Sequence, residues 1–464
     1  EPRARDVTNP RRFAFVSHIR NIDRFLSDVH DDPATGTTFD HQKWVVDWLE
    51  ALFLEFLTVS VAPRRLRPGD IRHHLEHVAR WIAFLELLRV ALAPPRVRFV
   101  DTLSSKARYS PVDVDLILDV GNSRTCGILI EDYPNQDDLG LAGAMTLKLQ
   151  DVAEPETVYG EPFESHVEFA QAWFGYDSLS RDSGRERAFF WPSPVRVGQE
   201  ATRLRNRQQG GTDTLCGMSS PKRYLWDVAE ATQPWRFPAS DHVDDTPPPI
   251  GLRLRRFVNA NGDVLSRMKR EHKLFAALYP GRRADDLTRL SPRFGYSRSA
   301  IYSFMLAEVI WQAFVMINNP EVRRKRNQSE APRRLRRVIL TLPSAVPTRE
   351  QRIMKARAES ACDLIWDLMG WSKAPPPGTV RPKVEVSWDE ASCVQLVWLY
   401  GEIAEKFASN IEGFFRLAGR PRRRFTPETP PDPAAAPEPS LRVASVDVGG
   451  GTTDLMITTY FQKD

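Results

Sequence analysis

The sequence predicts an α/β chain of several domains with a helical N-terminal region, and three observations carry that reading. Two segments, 112–130 and 442–457, each run from an apolar strand through an Asp-Val-Gly turn into a second apolar strand. Apolar residues recur at helical spacing over 297–318, 348–370 and 389–418. Nearer the N-terminus, Trp44, Val45, Trp48, Leu49, Leu52, Phe53 and Phe56 keep the same spacing, as do Ile71, Leu75, Val78, Ile82 and Leu85. At 464 residues the chain exceeds one ordinary core, so two to four domains of roughly 100–200 residues are expected.

In chain order, residues 1–110 form the mainly helical region, whose helical run Pro94-Pro95 closes. Residues 111–388 make a first lobe. It carries an inserted subdomain at about 225–290, where Asn259-Ala260-Asn261-Gly262 between two candidate strands predicts a hairpin. Ser297 is the expected cap of the next helix, and the basic run Arg323–Arg337 that follows it reads as a solvated face. Val338–Leu342 is a buried strand that Pro343 ends. The helix after it opens at Thr348 as N-cap and closes near Gly370, and a Pro-rich break spans 374–382. Residues 389–418 are the longest helical pattern and form a crossing helix between lobes, with Asp389 and Glu390 at its dipole-favoured start. Residues 419–440 are too rich in Arg and Pro to build a core and read as a flexible insertion, and 441–464 begin a second lobe.

Composition excludes several classes. Hydrophobic residues at 42% with 27% charged are those of a globular chain, which rules out a wholly disordered or fibrous one. The 64 basic residues nearly balance 60 acidic ones, so charge gives no reason to expect nucleic acid. Cys126, Cys216, Cys362 and Cys393 are scattered, which fits neither a disulfide framework nor a zinc site and suits a reducing cytoplasm. The apolar stretch 81–93 is interrupted by Glu86 and Arg89 and falls short of the ~20 residues of a membrane span, so no transmembrane segment is expected. Residues 1–30 lack the apolar core of a signal peptide, and an opening Glu1 fits an excerpt of a longer protein. His73, His74 and His77 read as a solvated helix face, although His73 and His77 have a metal-ligand spacing. The aromatic residues at 44–56 and 81–84 read as helix packing.

The two strand–turn–strand units suggest chemistry. Glycines let backbone N–H groups approach phosphate oxygens, hydroxyls add donors, and an Asp can hold a magnesium ion through water. Gly449, Gly450, Gly451 and Thr452 are therefore assigned to one phosphate-binding jaw, and Gly121, Asn122, Ser123 and Thr125 to the other. Asp119 and Asp447 flank the metal.

On these residues the chain resembles the superfamily that includes actin, DnaK-type chaperones and sugar kinases. Asp119-Val-Gly-Asn-Ser-Arg-Thr-Cys126 is similar to its first phosphate motif, and Asp447-Val-Gly-Gly-Gly-Thr-Thr-Asp454, with Thr453 and Asp454, to its second. Val338–Pro343 with Arg349-Glu-Gln351-Arg352 is similar to the chaperones' strand-proline segment and the helix after it. Asp389-Glu390-Ala391 is similar to the acidic start of their crossing helix. Val197–Ala201 with Pro221-Lys222-Arg223-Tyr224-Leu225 is similar to the segment that supplies their phosphate-contacting lysine.

The resemblance covers 112–464 and implies actin-like (ribonuclease H-like) lobes with ATP and Mg2+ as cofactors. It implies slow hydrolysis with Lys222, Glu390, Asp447 and Asp454 as catalytic groups, coupled to lobe movement and to a protein partner. Asn122 and Ser123 stand where the chaperones have paired threonines, and Ala391 where they have proline, which favours an alternative of nucleotide-gated scaffolding without turnover. A small-molecule kinase of the same superfamily is a third reading. The family's second lobe also extends to a glycine-rich turn beyond the residues present here, so base specificity is not legible. Composition, long insertions and the DVGNSRT variant resemble the SrfB-type bacterial virulence-factor family.

Overall fold

The structure is a computed structural model that describes residues 29–32, 37–40, 49–55, 57–58, 67, 70, 77, 80–81, 83–84, 110–133, 143–160, 162–170, 191–207, 216–237, 254, 256–281, 295–343, 346–426, 428–450 and 453–462. The chain divides into two compact units, Glu1–Asp101 with Ala172–Phe190, and Thr102–Gln171 with Trp191–Asp464. In the first unit β1 (Val29–Asp32) pairs antiparallel with β2 (Thr37–Asp40), and residues 49–55 and 57–58 are helical. Leu49 and Phe53 are buried, and the Arg80 guanidinium lies over the Phe53 ring. His77 is buried, which corrects the solvated face expected of it, while His73 and His74 lie outside the described residues.

The second unit is mixed α/β. Its central strand β3 (Val112–Val120) alternates buried apolar residues with polar ones and turns tightly into β4 (Arg124–Asp132). β4 pairs antiparallel with β5 (Ala144–Thr146), after which β6 (Leu149–Gln150) and β7 (Val158–Tyr159) form a two-stranded ribbon. β8 (Phe163–Glu164) also pairs with β4. β9 (His166–Phe169) lies between β10 (Val195–Val197) and β11 (Gly217–Ser219) in a separate small sheet, on which helix α1 (Gly198–Arg207) packs. A 3-10 turn, Pro221–Tyr224, follows β11.

Among its described residues the inserted subdomain forms no strand and carries two short helices. Asn259–Gly262 does turn, but only Val258 and Val264 bridge across it, and the chain passes at once into α2 (Leu265–Arg270) and α3 (His272–Leu278). The expected hairpin is thus corrected. The Asn259 side chain accepts hydrogen bonds from the Asn261 and Asp263 amides, a local turn that serves a following helix as readily as a strand.

Helix α4 (Arg298–Asn318) is capped by Ser297, whose side chain accepts from the Ala300 amide, and is buried all round except at Arg298, Val315 and Met316. It is long and apolar enough to cross a membrane, yet 89% of its most apolar window is covered by protein, as in a core helix. It is also longer than the 81–93 stretch singled out from sequence. After α5 (Pro320–Arg324), β12 (Arg333–Leu342) runs parallel to β3. Helix α6 (Thr348–Met369) packs on α4, ends at Gly370 with φ 74, and leads to β13 (Lys383–Asp389), parallel to β12. Its N-cap is Pro347, one residue ahead of the expected Thr348. The main sheet therefore has the order β13-β12-β3-β4-β5.

The basic run is corrected in part. Arg333 is buried and pairs with Glu131 at 2.9 Å. Arg334 grips Asp113 at 2.5 and 2.9 Å, and Arg336 and Arg337 share Asp115. Burial pushes the Asp115 carboxyl up, but the bonds from Arg337 and Arg336 outweigh it and hold the group below its ordinary range.

The expected crossing helix is broken. Helix α7 (Glu390–Tyr400) opens at Asp389, which caps the Ser392 amide at 2.7 Å, and passes into a π-helical stretch, Gly401–Lys406. Left-handed Ala408 and Ser409 then stop it, and α8 (Ile411–Ala418) starts afresh from Asn410. The Arg/Pro-rich segment is anchored at both ends, because β14 (Arg420–Arg422) pairs with the start of β15 (Glu438–Val448). β15 then pairs with β16 (Thr453–Phe461) as a long hairpin.

Candidate functional site

The first hairpin closes on a bond from the Gly121 amide to the Arg124 carbonyl, 2.9 Å long. A Cβ at Gly121 would stand 2.5 Å from that carbonyl, so glycine is needed for the turn. The hairpin is also held from beneath. Ser165 donates through its hydroxyl to the Gly121 carbonyl at 2.7 Å and through its amide to the Ser123 carbonyl at 2.8 Å. Its hydroxyl lies 2.9 Å from that of Thr125, which is buried. Thr125 therefore braces the hairpin from inside and presents no hydroxyl at its rim, whereas Ser123 is exposed and Asn122 half-buried. Ser165 is the residue that sequence reasoning missed, and its only signal is a lone serine in a strand-rich stretch.

Asp119, at the end of β3, is exposed, and Thr341 on the neighbouring strand donates to it at 3.4 Å. On the second hairpin Asp447 and Asp454 stand directly opposite one another and so share a face, while Thr453 is opposite Val448. Two like charges in that arrangement repel, which favours a nearby cation. Gly451 and Thr452 lie outside the described residues. Gly450 reaches the first hairpin, where a Cβ would come 2.6 Å from that of Ser123. The rims of the two turns are in contact.

Lys222 and Glu390 complete the group. Ser220, left-handed at φ 53, bends the chain into the short turn that carries Lys222, and the Lys222 ammonium lies 3.3 Å from the Glu390 carboxylate. Burial raises the Glu390 carboxyl; Lys222 opposes this, and the charges of Asp119 and Asp447 add to the rise. Buried Tyr302 of α4 is likewise raised by burial, then by Glu390 and Asp119. Lys222, Asp119 and Asp447, far apart in sequence, thus all lie near enough to Glu390 to act on its carboxyl.

The second hairpin is clasped to α7 by Gln395, which donates to Ser445 at 2.9 Å and accepts from the Tyr460 hydroxyl at 2.8 Å. A cleft of about 480 Å³ runs beside it, lined by Leu342, Pro343, Gln351, Asp389 and Met456 among others. Among the described residues no three carboxylate, His or Cys groups stand close enough to chelate a metal ion on their own. A hydrated Mg2+ needs less, since one or two carboxylates, water and phosphate oxygens complete its shell. Glycines that a Cβ would crowd, and Asp119 and Asp447, which form no ion pair among the described residues, fit that kind of ligand.

The family model described as SrfB, "Virulence factor SrfB", matches residues 1–464. No curated protein matches the chain. The chain belongs to the SrfB virulence factor family.

Proposed function

We propose that this SrfB family member binds ATP with Mg2+ between its two Asp-Val-Gly hairpins and hydrolyses it slowly, on lobes of the actin-like kind. The observation that supports the reading is the meeting of Gly450 with Ser123, together with a Glu390 carboxyl that pairs with Lys222 and feels the charges of Asp119 and Asp447. Asp119 and Asp447 would hold the hydrated cation, and the amides of Asn122, Ser123 and Gly449–Gly450 would face the phosphates. When bound, the nucleotide supplies a phosphoanhydride for cleavage by water. Lys222 offsets charge on the phosphoryl oxygens. Glu390 orients the water, and its raised carboxyl is a stronger proton acceptor once ionised. Because the rims touch, binding must part the hairpins, and that movement would carry nucleotide state to a protein partner.

One observation favours the second reading, a nucleotide-gated scaffold without turnover. Lys222 and Glu390 already neutralise each other at 3.3 Å, so neither is free for chemistry until the pair opens.

Calorimetric titration of Mg-ATP into the full chain tests the proposal. Saturable binding is expected, weakened at least roughly tenfold, on the order of 1.4 kcal/mol, by the double substitution Asp119→Asn and Gly450→Val. A folded chain that takes up no ATP overturns it. Binding without phosphate release, unchanged in Glu390→Gln, selects the scaffold reading.

A further inference from the structure

Outside the residues assigned so far, the small sheet carries a second chemical constellation. Ser219 on β11 stands directly opposite His166 on β9, and its hydroxyl lies 3.2 Å from His166 Nδ1. The other ring nitrogen, Nε2, lies 2.9 Å from the Glu168 carboxylate. His166 and Glu168 are buried while Ser219 is exposed, so the relay runs from the interior to the surface.

A carboxylate only accepts, so Nε2 carries the hydrogen and Nδ1 is left as the acceptor for the serine hydroxyl. That is the order of groups that makes a serine nucleophilic, with a base in reach and a third group fixing the base's tautomer. The local sequence makes room for it. Glu168 is opposite Gly217, and a Cβ there would collide with the Glu168 carboxyl and the Val167 carbonyl. The second carboxylate oxygen of Glu168 is buried without a hydrogen-bond partner, so no described contact other than His166 accounts for keeping the carboxylate there.

The relay is also tied to the first hairpin. Ser165, immediately before His166, holds the Gly121 and Ser123 carbonyls, and Ser220, immediately after Ser219, donates its amide to the Ser165 carbonyl at 2.7 Å. Lys222 follows two residues later.

We propose that Ser219, activated by His166 and Glu168, accepts the terminal phosphoryl group of the nucleotide, so that the chain phosphorylates itself. This rests on the nucleotide-binding reading above. In the step the Ser219 Oγ–P bond forms as the bond from that phosphorus to the bridging oxygen breaks. ADP leaves with the electron pair, and the hydroxyl proton passes to His166 Nδ1, giving an imidazolium beside the Glu168 carboxylate. Ser219 is the nucleophile, His166 the general base and Glu168 a positioning residue.

The test is incubation of the full chain with Mg-ATP labelled at the terminal phosphate, followed by peptide mass spectrometry, with calorimetric binding measured on the same preparation. Phosphoserine is expected at Ser219 and is absent in Ser219→Ala. His166→Gln should slow labelling about 100-fold or more, the usual share of a general base. Glu168→Gln should slow it and change its pH profile, and Glu168→Asp should restore part of the rate with the original profile. Protein that binds ATP yet stays unlabelled, or is labelled elsewhere, overturns the Ser219 proposal and leaves the clamp standing. Protein that neither binds nor labels overturns both. Acylation of Ser219 by p-nitrophenyl acetate without phosphorylation by ATP overturns the phosphoryl assignment.

Discussion

The tripeptide Asp-Val-Gly occurs at 119–121 and again at 447–449, and the two copies sit in different surroundings. Val120 is fully buried, in a strand with neighbours on both sides and Ser165 beneath its turn. Val448 is 76% exposed, on a hairpin covered on one face by α7 and open on the other, where Val446, Leu455 and Ile457 are each more than 60% exposed. One jaw of the candidate clamp is therefore built into a core, while the other is a sheet packed on one face only, by Gln395 and by the cluster of Leu399, Phe414 and Phe415. A motif thus specifies local turn geometry and leaves rigidity to what packs around it. In a clamp, the jaw on the thinner support is the one expected to move.

The sharpest way to break this contrast is to attack the core behind the first jaw. Arg357, fully buried in α6, bonds to Asp263, Tyr279, Ser299 and the Asn261 carbonyl, joining α4, α6 and the inserted helices. Arg357→Leu strands Asp263 without its partner, which should cost about 3–5 kcal/mol in urea unfolding. A loss under about 1 kcal/mol would show that this core does not depend on its buried charge, and the rigid-jaw argument would fall.

A second effect is one of pH. Glu200 on α1 is pushed up to about 7 by burial, with the neighbouring charges of Asp151 and Glu308 adding and Arg196 opposing. A carboxyl raised in the folded state binds its proton there more tightly than in the unfolded chain, whose value is near 4.5. Stability is then greatest below about 4.5 and falls as pH rises to about 7, by on the order of 3 kcal/mol from this group. Glu200→Gln should remove that slope, read from urea midpoints at pH 5 and pH 8. The second hairpin has no such buried acid among its described residues, so a fall in its amide protection alone would contradict the assignment.

Much of the rigid region was legible because its signals are local. An apolar run ending in an Asp-Val-Gly turn marked β3, Ser297 marked the start of α4, and Gly370 the end of α6. The failures share a cause in partners that a sequence does not display. Arg334, Arg336 and Arg337 read as solvated until β12 is placed beside β3, where Asp113 and Asp115 meet them. The apolar period through 389–418 runs on past the left-handed residues at 408–409 that break the helix. At the candidate site, Asp119, Lys222, Glu390 and Asp447 were singled out from turn chemistry and resemblance. The role of Thr125 was misassigned, because only a folded neighbour, Ser165, turns its hydroxyl inward.

The smallest expected effect tests the contrast most directly, since it makes one change at two copies of one tripeptide. Valine and threonine have nearly the same shape, so the substitution trades a methyl for a hydroxyl and little else. At Val120 that hydroxyl enters a fully buried position, and the loss should be about 1–3 kcal/mol. At Val448 the hydroxyl meets solvent, and the change should lie within about 0.5 kcal/mol. Thermal or urea unfolding of the two single variants reads the difference. If Val448→Thr costs as much as Val120→Thr, the outer face of the second hairpin is covered in solution and the thin-jaw argument fails. If it is silent in stability but shifts ATP affinity, the hairpin moves on binding, because only its relation to the ligand has changed.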